Sequence, residues 1–142
     1  MMSIEDKIRE VAKKGWPSHG FVLEDWEGVD RAVDKTDLPA IVCFLVEDGT
    51  LEFKNGRCKD SEDLILAFID KVPRDADGDE NKSVFLSMKG LAKDFIAALS
   101  KCGYFEPINQ RITYHSLYEV LASNVSGLWC RITLKELQGV CV

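Results

Sequence analysis

Long apolar runs are missing from this sequence. The longest, residues 40–46, has seven residues, against the roughly 20 that a membrane-spanning helix needs, so no helical span is expected. Histidine is scarce, with only His19 and His115, and none of the five cysteines forms a Cys-x-x-Cys pair. A zinc site is therefore not expected, because neither histidine lies near paired thiols. No serine or cysteine sits in a Gly-x-Ser-x-Gly pattern, and the glycines fall outside Gly-x-Gly-x-x-Gly and Walker spacing. A nucleophile elbow and a nucleotide pocket are thus without support, and no cofactor, small-molecule substrate or enzymatic activity is expected. Clustered positive charge is absent as well. Lys and Arg are scattered singly apart from Lys13-Lys14, the formal net charge is −6 and the sequence pI is near 4.9. Such a field repels phosphate backbones, so nucleic acid is not an expected partner. Ser3-Ile4-Glu5-Asp6 reads as an acidic helix start and not as a basic, apolar leader, which places the expected location in the cytoplasm.

What is present is the composition of an ordinary globular domain. The apolar fraction is 46% and the charged fraction 30%, and 142 residues form one α+β domain able to bury roughly two thirds of its unfolded surface without staples. Cys43, Cys58, Cys102, Cys130 and Cys141 are widely spaced and odd in number. Most sit in apolar patterns, where free cysteine acts as a small hydrophobe. Cys58 alone lies in a polar segment, between Arg57 and Lys59, where a reactive thiol is the alternative reading.

Two helices are legible. Ser3 is the expected N-cap of the first, with Asp6 completing a capping box and Gly15 ending it. The second follows the acidic stretch Arg74-Asp75-Ala76-Asp77-Gly78-Asp79-Glu80. From Val84, apolar residues fall at Met88, Leu91, Ala92, Phe95, Ile96, Leu99 and Cys102, and Gly103 stands where a left-handed cap is expected. Strands are expected at residues 21–23, 40–46, 50–54, 64–72, 111–117 and 128–134. Glu47-Asp48-Gly49 and Asn55-Gly56 are the turn signals, and Asn124-Val125-Ser126-Gly127 a turn or bulge. These elements predict a mainly antiparallel sheet of about four to five strands, with the N-terminal helix and the long amphipathic helix packed on one face.

Three candidate sites follow. The acidic stretch invites calcium, but counted from Asp75 the EF-hand glycine falls at position four and Leu86 occupies position twelve, so the pattern fails. Helix capping by Asp79 or Asn81, with Glu80 near the positive end of the dipole, explains the acids without a metal. Tyr114-His115 with Tyr118-Glu119 raises acid–base chemistry, against the plainer reading of a packed or surface histidine. Trp129 and Arg131 fall on the strand face opposite Leu128, Cys130, Ile132 and Leu134. Both residue types are enriched at the energetic centres of interfaces, so the pair is a candidate interface unless a second helical layer covers it.

The order Leu38-Pro39-Ala40-Ile41-Val42, Gly49-Thr50-Leu51-Glu52-Phe53, the acidic segment, Met88-Lys89-Gly90-Leu91-Ala92-Lys93-Asp94-Phe95-Ile96, Phe105-Glu106-Pro107-Ile108 and Asn124-Val125-Ser126-Gly127-Leu128 resembles a small family of proteins encoded in prophages and mobile elements of Bacteroides-type bacteria. The element order is also similar to phage tail-terminator and tail-completion proteins. That resemblance implies a non-enzymatic α+β protein assembling as a ring at the head-proximal end of a tail tube. Its partners would be copies of itself and other tail proteins, in the host cytoplasm or the virion tail. Asp75, Asp77 and Asp79 would then face the ring lumen or a neighbouring basic patch. A monomeric or dimeric binding or anti-defence module from a mobile element is the alternative.

Overall fold

The computed structural model describes residues 2–137 together with the backbone of Val140 and Cys141. The chain opens with helix α1 (Ile4–Gly15), whose Ser3 and Asp6 form the expected capping box. Strand β1 (Gly20–Glu24), the short helix α2 (Val29–Asp34) and strand β2 (Ala40–Phe44) follow. β1 pairs parallel with β2 across that helical crossover, and every other pairing is antiparallel. Next come β3 (Asp48–Lys54), the 15-residue β4 (Arg57–Lys71) and the 24-residue helix α3 (Gly78–Lys101). Strands β5 (Tyr114–Val120), β6 (Val125–Lys135) and β7 (Val140–Cys141) complete an α+β fold.

The sheet has seven strands in the order β1-β2-β4-β6-β5, with β3 and β7 also pairing with β4, which exceeds the four to five expected. Much of the difference comes from long strands with broken partners. β4 is flanked by β2 along its C-terminal half and by β3 along its N-terminal half. Glu47-Asp48-Gly49 therefore does not reverse the chain. It steps the strand out of β2 and into β3 on the same flank of β4. The reversal comes at Asn55-Gly56, where both residues take positive φ, 53° and 74°, the requirement of a two-residue primed turn that Asn-Gly meets at little cost.

The core lies mainly on one face. α1 contributes Ile4, Ile8, Val11 and Ala12, and α3 contributes Met88, Leu91, Ala92, Phe95 and Leu99, against Leu64, Leu66, Phe68, Leu128, Cys130, Ile132 and Leu134 of the sheet. Phe95 sits at its centre, edge-on to Trp16 at 5.4 Å and to Phe68 at 5.9 Å. The other face carries a smaller cluster that α2 covers at one end, with Val29 and Val33 over Val22, Val42 and Ile69. Residues 64–69 are buried on both sides of the sheet, so their continuous apolar run belongs to a central strand.

Two local expectations shift. The cap of α3 is Asp77, not Asp79 or Asn81. Its carboxylate accepts the Glu80 N–H at 2.8 Å, and the Glu80 carboxylate accepts the Asp77 N–H at 3.3 Å, so the helix begins earlier than expected and satisfies two orphan donors reciprocally. The β5–β6 turn falls at residues 121–124, with Leu121 and Asn124 at positive φ, while residues 125–127 already belong to β6. Gly103, at φ 87°, follows the Cys102 cap as expected.

Candidate interaction surfaces

Strand parity decides where Trp129 and Arg131 point. In β6 the residues Leu128, Cys130, Ile132 and Leu134 are buried under α1 and α3, which sends Trp129 and Arg131 to the opposite face. β5 adds His115 directly across from Trp129. The two rings stack with centroids 4.3 Å apart and planes 21° from parallel. The Arg131 guanidinium lies 5.2 Å from the centre of the Trp129 ring, a cation–π arrangement. Trp26, from the loop after β1, meets Trp129 edge-on at 6.4 Å and stacks on Phe44 at 4.1 Å. Trp26 is 52% exposed. Trp129 is half-buried against the cluster that α2 joins, while Trp26 and His115 are exposed, so the sheet presents an aromatic platform with one cation at its edge. The sequence singles out His115 only beside Tyr114, Tyr118 and Glu119, and its meeting with Trp129, like that of Trp26, arises through tertiary structure. A period-two alternation in residues 114–118 is the signal that places His115 beside it.

The acidic residues do not converge with the platform. Asp77 caps α3, Asp75 takes φ 64° in the preceding loop, and Asp79 projects from the first helical turn. All three are exposed. Among the described residues no group of three or more His, Cys, Asp or Glu side chains is arranged to hold a metal ion. Tyr114, His115, Tyr118 and Glu119 are also separated. His115 lies on the Trp129 face, whereas Tyr114 and Tyr118 pack near Phe85 of α3 at 5.9 and 6.0 Å. The Glu119 carboxylate accepts from the Asn81 amide at 3.1 Å. The described cysteines are free. Burial pushes the Cys43 thiol up to about 12 and the Cys130 thiol to about 11, which keeps both inert. Cys58 is half-exposed in β4, and the Cys141 side chain lies outside the described residues.

The two flanks of the sheet carry further exposed apolar surface. On one, the β3–β4 hairpin extends past the core: all seven residues of β3 are exposed, and its outer edge has no partner among the described residues. Leu51 and Phe53 are 60% and 65% exposed. The hairpin is fastened at its root by Glu136, which accepts from the Asp60 N–H at 3.0 Å and pairs with Lys7 of α1 at 2.9 Å. On the opposite flank a groove of about 480 Å³ runs between α3 and residues 108–112, floored by Leu128 and Cys130. Its wall is held by Ser100, whose hydroxyl accepts the Ile108 N–H at 2.9 Å. Gln110 helps by exchanging two hydrogen bonds with the Thr133 backbone, at 2.9 and 3.1 Å. Lys89, Lys93 and Lys101 stand on its rim.

No helix among the described residues is long and apolar enough to cross a membrane. No protein-family model matches the sequence, and no curated protein is similar to it.

Proposed function

We propose that this protein is a non-enzymatic assembly component that joins copies of itself into a closed ring, as tail-terminator and tail-completion proteins do at the end of a phage tail tube. The observation that carries this reading is the pair of unlike exposed flanks. One ends in a projecting hairpin with Leu51 and Phe53 in solvent, the other in the β5 edge with Tyr114 and Tyr118 exposed. Single exposed hydrophobes are ordinary, but apolar residues concentrated on a projecting, unpaired strand expose the protein to edge-to-edge association unless a partner covers them. Two different surfaces on opposite flanks make a heterologous contact, which builds rings when the rotation closes. On this reading the ring acts in the host cytoplasm and then in the virion tail, with other tail proteins as its further partners.

A second reading, a small binding module acting as monomer or dimer, is favoured by the Trp26–Trp129–His115 platform, which has the composition of an interface centre. Negative-stain images of the concentrated protein separate the two. Closed rings of uniform diameter support the assembly reading. Isolated small particles at every concentration, with capture of one partner abolished by Trp26→Ala or Trp129→Ala, overturn it in favour of the second.

A further inference from the structure

We infer that the groove between α3 and residues 108–112 binds a single-chain alkyl carboxylate, the anion of a free fatty acid of medium length. The site lies within one chain and does not depend on the ring reading.

The groove exists because a segment bows away from the sheet. The Glu106 N–H donates to the Lys135 carbonyl at 2.8 Å, and backbone pairing with β6 resumes only at Tyr114, opposite Cys130. The chain from 106 to 114 is longer than the stretch of β6 it runs beside, so residues 107–113 stand off and open a cleft against α3. Gln110 fastens the bow, because its side chain takes both the N–H and the carbonyl of Thr133. That edge is thereby closed to an added peptide strand. What remains is hydrocarbon: Ala92, Ile96, Leu128 and Cys130 below, with Ile108 and Ile112 on the wall. Such a floor offers no partner to a peptide's N–H and C=O groups and suits a chain that has none. The volume of about 480 Å³ lies within the range of cavities that enclose small ligands. Lys89 and Lys101, towards its two ends, lie about 18 Å apart at the helical rise, roughly the reach of an extended chain of ten to twelve carbons.

Charge selects the head group. Lys89, Lys93 and Lys101 rim the groove, and no carboxylate lines it among the described residues. None of the three is in an ion pair among the described residues. The wall segment 108–114 adds Arg111 and no acid. Asp94 follows Lys93 on α3 but lies outside the lining. On a chain of net charge −6, this is a local cationic field over an apolar trough, the complement of an amphiphilic anion. Lys89 already lies over the Tyr114 ring at 5.1 Å, which leaves Lys101 to anchor the carboxylate while Lys93 adds to the field. Ser100 stands beside Lys101. Its hydroxyl accepts the Ile108 N–H at 2.9 Å and keeps its own proton to donate.

The test is calorimetric titration of the full chain at low salt with decanoate, decanol and decylamine, each below its micelle concentration. Two variants at exposed positions accompany the wild type. Lys93→Gln with Lys101→Gln removes the charges, and Ala97→Trp fills the groove from α3. Thermal melts establish that both fold. Decanoate is expected to bind the wild type saturably at one site per chain and more tightly than decanol, with no binding of decylamine. The double lysine variant is expected to bind decanoate about tenfold more weakly and decanol unchanged, while Ala97→Trp binds neither. Absence of saturable decanoate binding overturns the inference. So does equal binding of decanoate and decylamine, or a double lysine variant as tight as wild type. Undiminished binding to a folded Ala97→Trp puts the ligand elsewhere and also overturns it. Flotation with vesicles of phosphatidylcholine and phosphatidylglycerol separates the free anion from a lipid surface. Co-flotation lost in Ala97→Trp, without decanoate binding, overturns the inference in favour of a membrane. The lysine variant and the decylamine control leave the core unchanged, so they decide the matter even where Ala97→Trp fails to fold.

Discussion

Glu62, on β4, and Glu5, in the first turn of α1, each bury a carboxylate oxygen that finds no hydrogen-bond donor. A proton held by one of the two carboxyls supplies such a donor, since a carboxylic O–H donates where a carboxylate only accepts. Burial is the largest influence on Glu62, followed by hydrogen bonding with Glu5 and the charges of Glu5, Asp60 and Glu136. Together they push the Glu62 carboxyl from 4.5 up to about 8.

A pH dependence follows. The folded chain holds a proton that the unfolded chain releases above its ordinary carboxylate range. The stability this contributes is complete below about pH 4.5 and is lost as pH rises towards 8. Thermal melting from pH 5 to 8 is expected to show a falling Tm. Glu62→Gln, which keeps the hydrogen-bonding capacity without the charge, is expected to flatten that fall. A wild-type Tm that rises across the window contradicts the pairing.

Gly127 is the position least tolerant of a side chain. It has φ 155°, and a Cβ there would lie 1.9 Å from the Phe68 carbonyl oxygen in the neighbouring strand. The collision is with backbone at the centre of the sheet, so no side-chain rotation relieves it. Gly127→Ala is expected to cost about 3 kcal/mol or more, read by denaturant unfolding. Gly78→Ala, where nothing lies within 4 Å, serves as the control and is expected to leave stability within about 1 kcal/mol of wild type.

Asp77 and Asp79 differ although both lie in the acidic stretch. Asp77→Ala removes the cap of α3 and is expected to lower stability by about 1 kcal/mol. Asp79→Ala loses only a favourable placement near the helix dipole, about 0.3–1 kcal/mol at low ionic strength. The two are compared by urea denaturation in 0.5 M salt (roughly, a screening length of a few Å), where the difference between them is expected to widen as the dipole effect fades.

Thiol labelling separates the cysteines. In a Cys141→Ser background, Cys58 is expected to label first and Cys102 more slowly, since its half-buried thiol donates to the Leu99 carbonyl at 3.2 Å. Cys43 and Cys130 are expected to label only on unfolding, because both are buried and their thiols are raised. Fast labelling of Cys43 or Cys130 in the native protein contradicts this packing.

The legible parts of the fold were those set locally. Ser3 with Asp6, Asn55-Gly56 and Gly103 each specify a backbone conformation through their own chemistry, and each stands where the sequence placed it. The alternation in β6 correctly sent Trp129 and Arg131 to the face away from α1 and α3. Non-local features were hidden. Glu47-Asp48-Gly49 has turn composition, but composition does not distinguish a reversal from a step between two strands on one flank. The parallel β1–β2 pairing depends on a crossover whose six-residue helix is too short to show a clear period. Residues 64–69 gave a mixed signal because burial on both faces erases the alternation that marks a strand. The groove was not visible, since α3, β6 and a coil segment build it together. Its only trace was Ile96, an apolar position at the margin of the helix stripe, close to Lys89 and Lys93.

The central claim is that the chain closes on itself through two unlike flanks. The most direct measurement is the solution mass by light scattering across a concentration series. The account predicts a rise from 16.0 kDa to a plateau at a fixed multiple greater than two, with no growth beyond it. A constant 16.0 kDa at every concentration, or unlimited growth without a plateau, would contradict it.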